Sequence, residues 1–239
     1  MIDFPSKQHY NTEDLRAVVE ILRGENGCPW DRVQTHESLR RGLLEECAEL
    51  CEAIDRADPA MMREELGDVL LQVIFHASLE QQAGRFTLDD VADEECRKMI
   101  SRHPHVFGDV TVSDVEEELS KWEDTKRQEK AQHTAADAMD AVCRTLPGLW
   151  RAEKIQKKAA HGAPENADSA ALCAELVRQT GELEKAMDAA GPAEKEKALG
   201  TLLFTAVRAA RLAGVDPEAA LHAACEEAIA LQRAEERKE

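Results

Sequence analysis

The 239-residue sequence predicts an all-α protein, and three observations carry that expectation. Aromatic residues make up 4% of the chain, whereas Ala, Leu, Glu, Lys and Arg are plentiful. Such a composition suits helices and poorly suits a β-sandwich or barrel. Apolar residues recur at helical spacing, as in Leu43, Cys47, Leu50, Ile54 and in Leu66, Leu70, Val73, Ala77. Breaks at Asn26-Gly27, Asp58-Pro59 and Gly84 punctuate the periodic segments.

Asn11 or Thr12 is placed to cap a first helix whose apolar face is Leu15, Val18, Val19 and Leu22. Arg23-Gly24-Glu25-Asn26-Gly27 stops it. Pro29 argues against helix in Cys28-Pro29-Trp30-Asp31, leaving Trp30 on a loop ahead of Gln34-Thr35-His36. There Trp30 either stacks on a base or plugs the end of a helix bundle. The segments around 43–54 and 63–77 then read as a helical hairpin turning at Asp58-Pro59. Thr87 caps the next helix, with Leu88, Val91, Cys96, Met99 and Ile100 on its apolar side. Residues 101–109 are expected to form a compact polar loop. Its His103 and His105 are a weak metal signal, while Arg102 suits bidentate phosphate binding. Ser113 caps a charged helix to about Lys130 that carries Trp122, Lys126 and Arg127, and a polar linker follows. Leu146-Pro147-Gly148-Leu149 opens a further helix with Lys154, Lys157 and Lys158, which reads as a solvated face or a phosphate-binding cluster.

The formal net charge of −18 argues against a general nucleic-acid or anionic-membrane surface. An anionic substrate would need a metal ion or a local basic patch. No apolar run approaches the roughly 20 residues that span a bilayer. The first residues lack the pattern of a signal peptide. Seven scattered cysteines without a CxxC pair are simplest as reduced thiols, so a cytoplasmic location is expected.

Chemistry concentrates between Leu43 and Ala77. Glu46 and Glu49 lie three apart in the first segment, Glu65 and Asp68 three apart in the second, so each pair shares a helix face. Packing the two apolar stripes together brings the four acids along one edge of the seam, a hard-cation site. The same stretch has an echo. With Leu176 set under Leu43, the alignment runs ungapped to Leu79 and Leu212, and about a third of the positions are identical. Pro59 meets Pro192 and Gly67 meets Gly200. The acids do not survive: Arg178, Gln179, Ala198 and Thr201 stand opposite Glu45, Glu46, Glu65 and Asp68, and only Glu49 finds an acid, Glu182. Four close carboxylates are costly to keep ionised without a cation. The echo shows that a hairpin can do without them, which places function in the first copy.

In order along the chain stand Asn26-Gly27-Cys28-Pro29-Trp30-Asp31, Gln34-Thr35-His36, Glu45-Glu46-x-x-Glu49 with Glu65-x-x-Asp68, Arg102-His103-Pro104-His105-Val106-Phe107-Gly108-Asp109, Trp122-Glu123 and Lys154-Ile155-Gln156. Over nearly its full length the chain therefore resembles the MazG family of nucleoside triphosphate pyrophosphohydrolases. The resemblance implies an all-α NTP-pyrophosphatase bundle, Mg²⁺ dependence, and conversion of an NTP to NMP and pyrophosphate in nucleotide-pool housekeeping. It implies Glu46, Glu49, Glu65 and Asp68 as metal ligands, with Glu46 or Glu49 handling the water, and a homodimer formed through these helices. Trp30, Arg102, Lys126, Lys154 and Lys157 are the candidate substrate contacts. The expected organisation is an active domain over 1–130, a linker over 131–150 and a degenerate MazG-like domain over 151–239. The second acid set and the GFDW-like run of many members are absent here. Two rival readings differ in class. A di-iron carboxylate bundle requires Glu-x-x-His on two helices, which neither pair supplies. A scaffold that binds nucleotides without hydrolysing them would retain the acids but not turnover.

Overall fold

The computed structural model describes residues 4–108, 134–160, 168–189 and 191–238, and among them it shows eleven helices and no strand. The chain divides into two compact units, Met1–Val112 and Ser113–Glu239.

In the first unit, α1 (Thr12–Arg23) is capped by Asn11, whose side chain accepts from the Asp14 amide while the Asp14 carboxylate accepts from the Asn11 amide. This reciprocal capping box satisfies two donors that a helix start leaves bare. Pro29 does not exclude helix, as the sequence had suggested. It occupies the first turn of the four-residue α2 (Pro29–Arg32), where its missing N–H costs nothing. Thr35 caps α3 (His36–Asp55) with a second capping box. Ala57, in the left-handed region at φ 49°, reverses the chain, and Asp58 accepts from the Ala60 and Met61 amides to start α4 (Pro59–Gln82). Thr87 caps α5 (Leu88–Arg102). The expected 101–109 loop is instead the end of α5 followed by a one-turn α6 (Pro104–Phe107), again with proline in its first turn.

Helix α4 lies at the centre, in contact with α1, α3 and α5. Val19, Leu39, Ile74 and Phe75 form the core, with Leu15, Leu71, Leu79 and Leu88 packed against it. The face that α4 buries differs from the expected stripe. Leu66, Leu70 and Val73 are exposed, while Ile74, Phe75, Ala77, Ser78 and Glu65 are buried. In α3, likewise, Ala53 is buried and Ile54 exposed. Apolar residues occupy several sides of α4, so periodicity alone does not choose the inner one. Packing Ile74 and Phe75 into the core turns the helix by one residue, about 100°. That turn carries Glu65 from the edge of the seam into it.

The second unit comprises α7 (Ala135–Asp140), α8 (Gly148–Ala160), α9 (Ser169–Ala189), α10 (Pro192–Leu212) and α11 (Pro217–Glu236). The expected 131–150 linker is partly structured: α7 is capped by Thr134, and Ala138 and Val142 are buried. Helix α8 contacts α7, α10 and α11. Gln156 donates to the Phe204 carbonyl at 2.7 Å, and the Trp150 indole donates to the Asp216 cap at 3.2 Å. The expected helix after Ser113 lies outside the described residues. Among those described, no single helix is long and apolar enough to cross a membrane.

The core assignment has a direct consequence for stability. Ile74→Ala leaves a cavity in the first unit and is expected to cost about 2–5 kcal/mol in urea unfolding. Val33→Ala, at an exposed position, is expected to stay within about 0.5 kcal/mol.

Candidate metal-binding site

Antiparallel packing of α3 on α4 sets Glu46 and Glu49 against Glu65 and Asp68. A carboxylate oxygen from each of Glu46, Glu49 and Glu65 lies within 4.8 Å of the other two. Glu65 is buried, at 8% exposure, Glu46 is half-buried and Glu49 faces solvent. Asp68, half-buried one turn beyond Glu65, acts on both Glu46 and Glu65 through its charge. The neighbouring Glu45 points elsewhere and pairs with Arg41 at 2.7 Å. Among the described residues no Lys, Arg or His forms an ion pair with any of the four acids. Burial is the largest influence holding the Glu46 carboxyl above its usual range, followed by the charges of Asp68, Glu49 and Glu45. Burial also leads at Glu65, followed by Glu49, Glu64, Asp68 and Glu46. Converging, uncompensated carboxylate oxygens that resist ionisation fit a hard divalent cation, which removes both the repulsion and the desolvation cost.

In the α9–α10 hairpin, the positions aligned with these acids in sequence hold no such cluster. Gln179, opposite Glu46 in the sequence alignment, is a buried neutral amide, and its Nε2 donates to Glu175 at 2.6 Å. Arg178, opposite Glu45, pairs with Glu175 at 2.5 Å and also with Glu182, the acid that matches Glu49. The acid that persists is therefore neutralised within its own helix.

The remaining candidates are more scattered. Trp30 is 63% exposed on α2. The ten residues from His36 to Glu46 span about 15 Å of helix, so the fold does not place Trp30 directly on the acids. Sequence reading missed what holds its loop. Buried Arg23 donates to the Asp31 carbonyl at 2.8 Å and to Gln82 at 2.7 Å, and its guanidinium lies over the Phe75 ring, 5.1 Å from the centroid. A basic residue closing an amphipathic helix gives no signal of that role. Arg102 is half-buried at the end of α5. His103 uses Nδ1 on the Met99 carbonyl at 2.6 Å, which takes that nitrogen from any metal. Lys154 is exposed on α8, and Lys157 pairs with Glu153 at 2.6 Å. Lys126 lies outside the described residues.

Residues 34–107 match the model of the MazG nucleotide pyrophosphohydrolase domain. The chain is 42% identical over 212 residues to the nucleoside triphosphate pyrophosphohydrolase/pyrophosphatase MazG of Thermotoga maritima, covering 89% of this chain and 80% of that protein. It is 38% identical over 215 residues to the nucleoside triphosphate pyrophosphohydrolase of Escherichia coli K12, covering 89% and 82%. An uncharacterised protein of Bacillus subtilis, YabN, is 49% identical over 149 residues, which span 62% of this chain and 30% of its own length. The matched domain contains all four acids.

The electrostatics give a signed prediction. Because the folded-state carboxyls sit above their usual value of 4.5, the protonated forms stabilise the metal-free fold at low pH. That contribution is lost as pH rises through the raised values. Glu46→Gln, the exchange seen between the two hairpins, is expected to raise the melting temperature of metal-free protein at neutral pH. The gain should vanish near pH 4, roughly where wild-type carboxyls are also protonated. Thermal denaturation in EDTA across this range checks both signs.

Proposed function

This chain belongs to the MazG family of nucleotide pyrophosphohydrolases, and on that premise we propose that it hydrolyses nucleoside triphosphates between the α- and β-phosphates at a Mg²⁺ site made by Glu46, Glu49, Glu65 and Asp68. It is a hydrolase acting on acid anhydrides, and its products are the nucleoside monophosphate and pyrophosphate. The observation that carries the reading is the convergence of three carboxylates within 4.8 Å, with no cationic side chain among the described residues to balance them. Bound there, Mg²⁺ supplies charge for the phosphate oxygens and a water made acidic by coordination.

The chain's own residues divide the remaining work. Glu65 and Asp68 form the floor of the site on α4, and Glu46 and Glu49 approach from α3. Glu49 faces solvent, where a water arrives, and burial holds the Glu46 carboxyl above its usual range. These two are the residues to orient the attacking water and accept its proton. Arg102, Lys126, Lys154 and Lys157 are the cations suited to the departing pyrophosphate. Trp30 offers an exposed ring for stacking on the base.

The partner is a second copy of the chain. Leu44, Ile54, Leu66, Leu70 and Val73 expose an apolar face on the hairpin that carries the acids. A monomer rarely leaves such a face uncovered, and self-association as a homodimer would bury it. The α9–α10 hairpin is read as a copy of α3–α4 that has lost its acids. Seven free cysteines suit the reducing cytoplasm, where nucleotide-pool housekeeping is the proposed role.

Glu49→Ala and Asp68→Ala are each expected to lower Mg²⁺-dependent pyrophosphate release roughly 100-fold or more, the scale of several kcal/mol of lost charge stabilisation. Full release by both variants would overturn the assignment, and nucleotide binding without release by wild type would leave a non-hydrolysing binder. Trp30→Ala is expected to raise KM by about 5- to 150-fold, the equivalent of 1–3 kcal/mol of stacking, with little change in kcat.

A further inference from the structure

Two of the four acids stand on α3 and two on α4, so their spacing depends on how these helices are registered. Their mutual repulsion works against that register. Apolar contacts between helices are non-directional and tolerate sliding. At one end the Ala57-Asp58 turn fixes the hairpin. At the other, hydrogen bonds take over. Among the described residues, the side-chain hydrogen bonds that cross from α3 to α4 all come from a single residue, His36.

His36 Nε2 lies 2.5 Å from Glu80 Oε1, and His36 Nδ1 lies 2.7 Å from His76 Nδ1, with the two rings nearly parallel at 3°. Glu80 is buried and held by one edge of the Arg85 guanidinium, Nε donating to Oε2 and Nη2 to Oε1 at 2.6 Å. Arg85 first, and then His36, draw its carboxyl down to about 2 against an opposing effect of burial. Glu80 is therefore an acceptor only, and for two neutral imidazoles this fixes the tautomers. His36 carries its proton on Nε2 and donates to Glu80. Its bare Nδ1 accepts from the Nδ1–H of His76. His76 Nε2 is then a bare acceptor, buried and without a partner, as is Gln72 Oε1 one turn closer to the acids. Residues 65, 68, 72, 76 and 80 follow one another at three- and four-residue steps, so this polar line and the acids occupy one face of α4. Gly42 allows close approach between them: a Cβ there would stand 3.2 Å from Gln72 Nε2.

We propose that His36 is the positioning residue of the acid site: a clamp running through His76, Glu80 and Arg85 fixes the register of α3 on α4 and so sets the spacing of Glu46 and Glu49 from Glu65 and Asp68. Its consequence for Mg²⁺ rests on the function proposed above, whereas the clamp itself rests on hydrogen-bond geometry.

The test uses the full chain. In metal-free protein, long-range ¹H–¹⁵N spectra are expected to show His36 protonated on Nε2 and His76 on Nδ1. His36→Leu is expected to shift the amide resonances of Glu46, Glu49 and Glu65. Calorimetric titration with Mg²⁺ alone, without nucleotide, is expected to show affinity about 10- to 100-fold weaker in His36→Leu, the usual loss when a residue supporting metal ligands is removed. His36→Gln, which returns a donor near the Nε2 position, is expected to recover most of it. A folded His36→Leu protein with unmoved resonances and wild-type Mg²⁺ affinity overturns the proposal. If His36→Leu does not fold, His36→Gln is compared with His36→Asn, which places its amide near Nδ1 and loses the donor to Glu80. Equal affinity in these two also overturns it. Wild type that binds no Mg²⁺ refutes the metal reading alone, and the metal-free spectra still decide the clamp.

Discussion

Three carboxylates held within 4.8 Å of one another, with a fourth beside them, are the constraint around which the first unit is built. Nothing about helix packing requires them. The α9–α10 hairpin places a neutral glutamine, an alanine and a threonine at the matching positions and remains a hairpin. A like-charged cluster pushed into a seam raises the cost of ionisation through burial and mutual repulsion. The structure around it has to hold the two helices together regardless. Capping boxes at α1, α3 and α5, the Asp58 turn and the core around Ile74 and Phe75 all serve a scaffold that keeps acids where water alone would separate them.

The placement of polar and apolar residues on α4 follows from the same requirement. One face carries Glu65, Asp68, Gln72, His76 and Glu80 toward the seam, and Ile74 and Phe75 enter the core. Leu66, Leu70 and Val73 are left outside. An ordinary amphipathic helix hides its leucines and shows its acids. Here the order is partly inverted: acids stand in the seam while Leu66, Leu70 and Val73 are exposed. The polar line and the exposed apolar stripe of α4 stand about 100° apart on one helix.

Much of this was legible in the sequence. The helical class, the turn at Asp58-Pro59 and the pairing of Glu46 and Glu49 with Glu65 and Asp68 follow from spacing, because a three-residue step on a helix has one geometric meaning. The inner face of α4 was not legible, since apolar residues lie on several of its sides and only tertiary packing chooses among them. Pro29 was read as excluding helix and residues 101–109 as a loop, but Pro29 and Pro104 both sit in first turns, where proline is well tolerated. The partners of His36 and Arg23 are 40, 44 and 59 residues away. No local pattern announces contacts at that separation.

The central claim is that this seam, and not another part of the chain, binds the divalent cation. Crystals grown with Mn²⁺ in place of Mg²⁺ and measured at the manganese absorption edge test it most directly. An anomalous peak among the carboxylates of Glu46, Glu49, Glu65 and Asp68 is expected. A seam without such a peak at saturating Mn²⁺, or a peak found only among other residues, would contradict it.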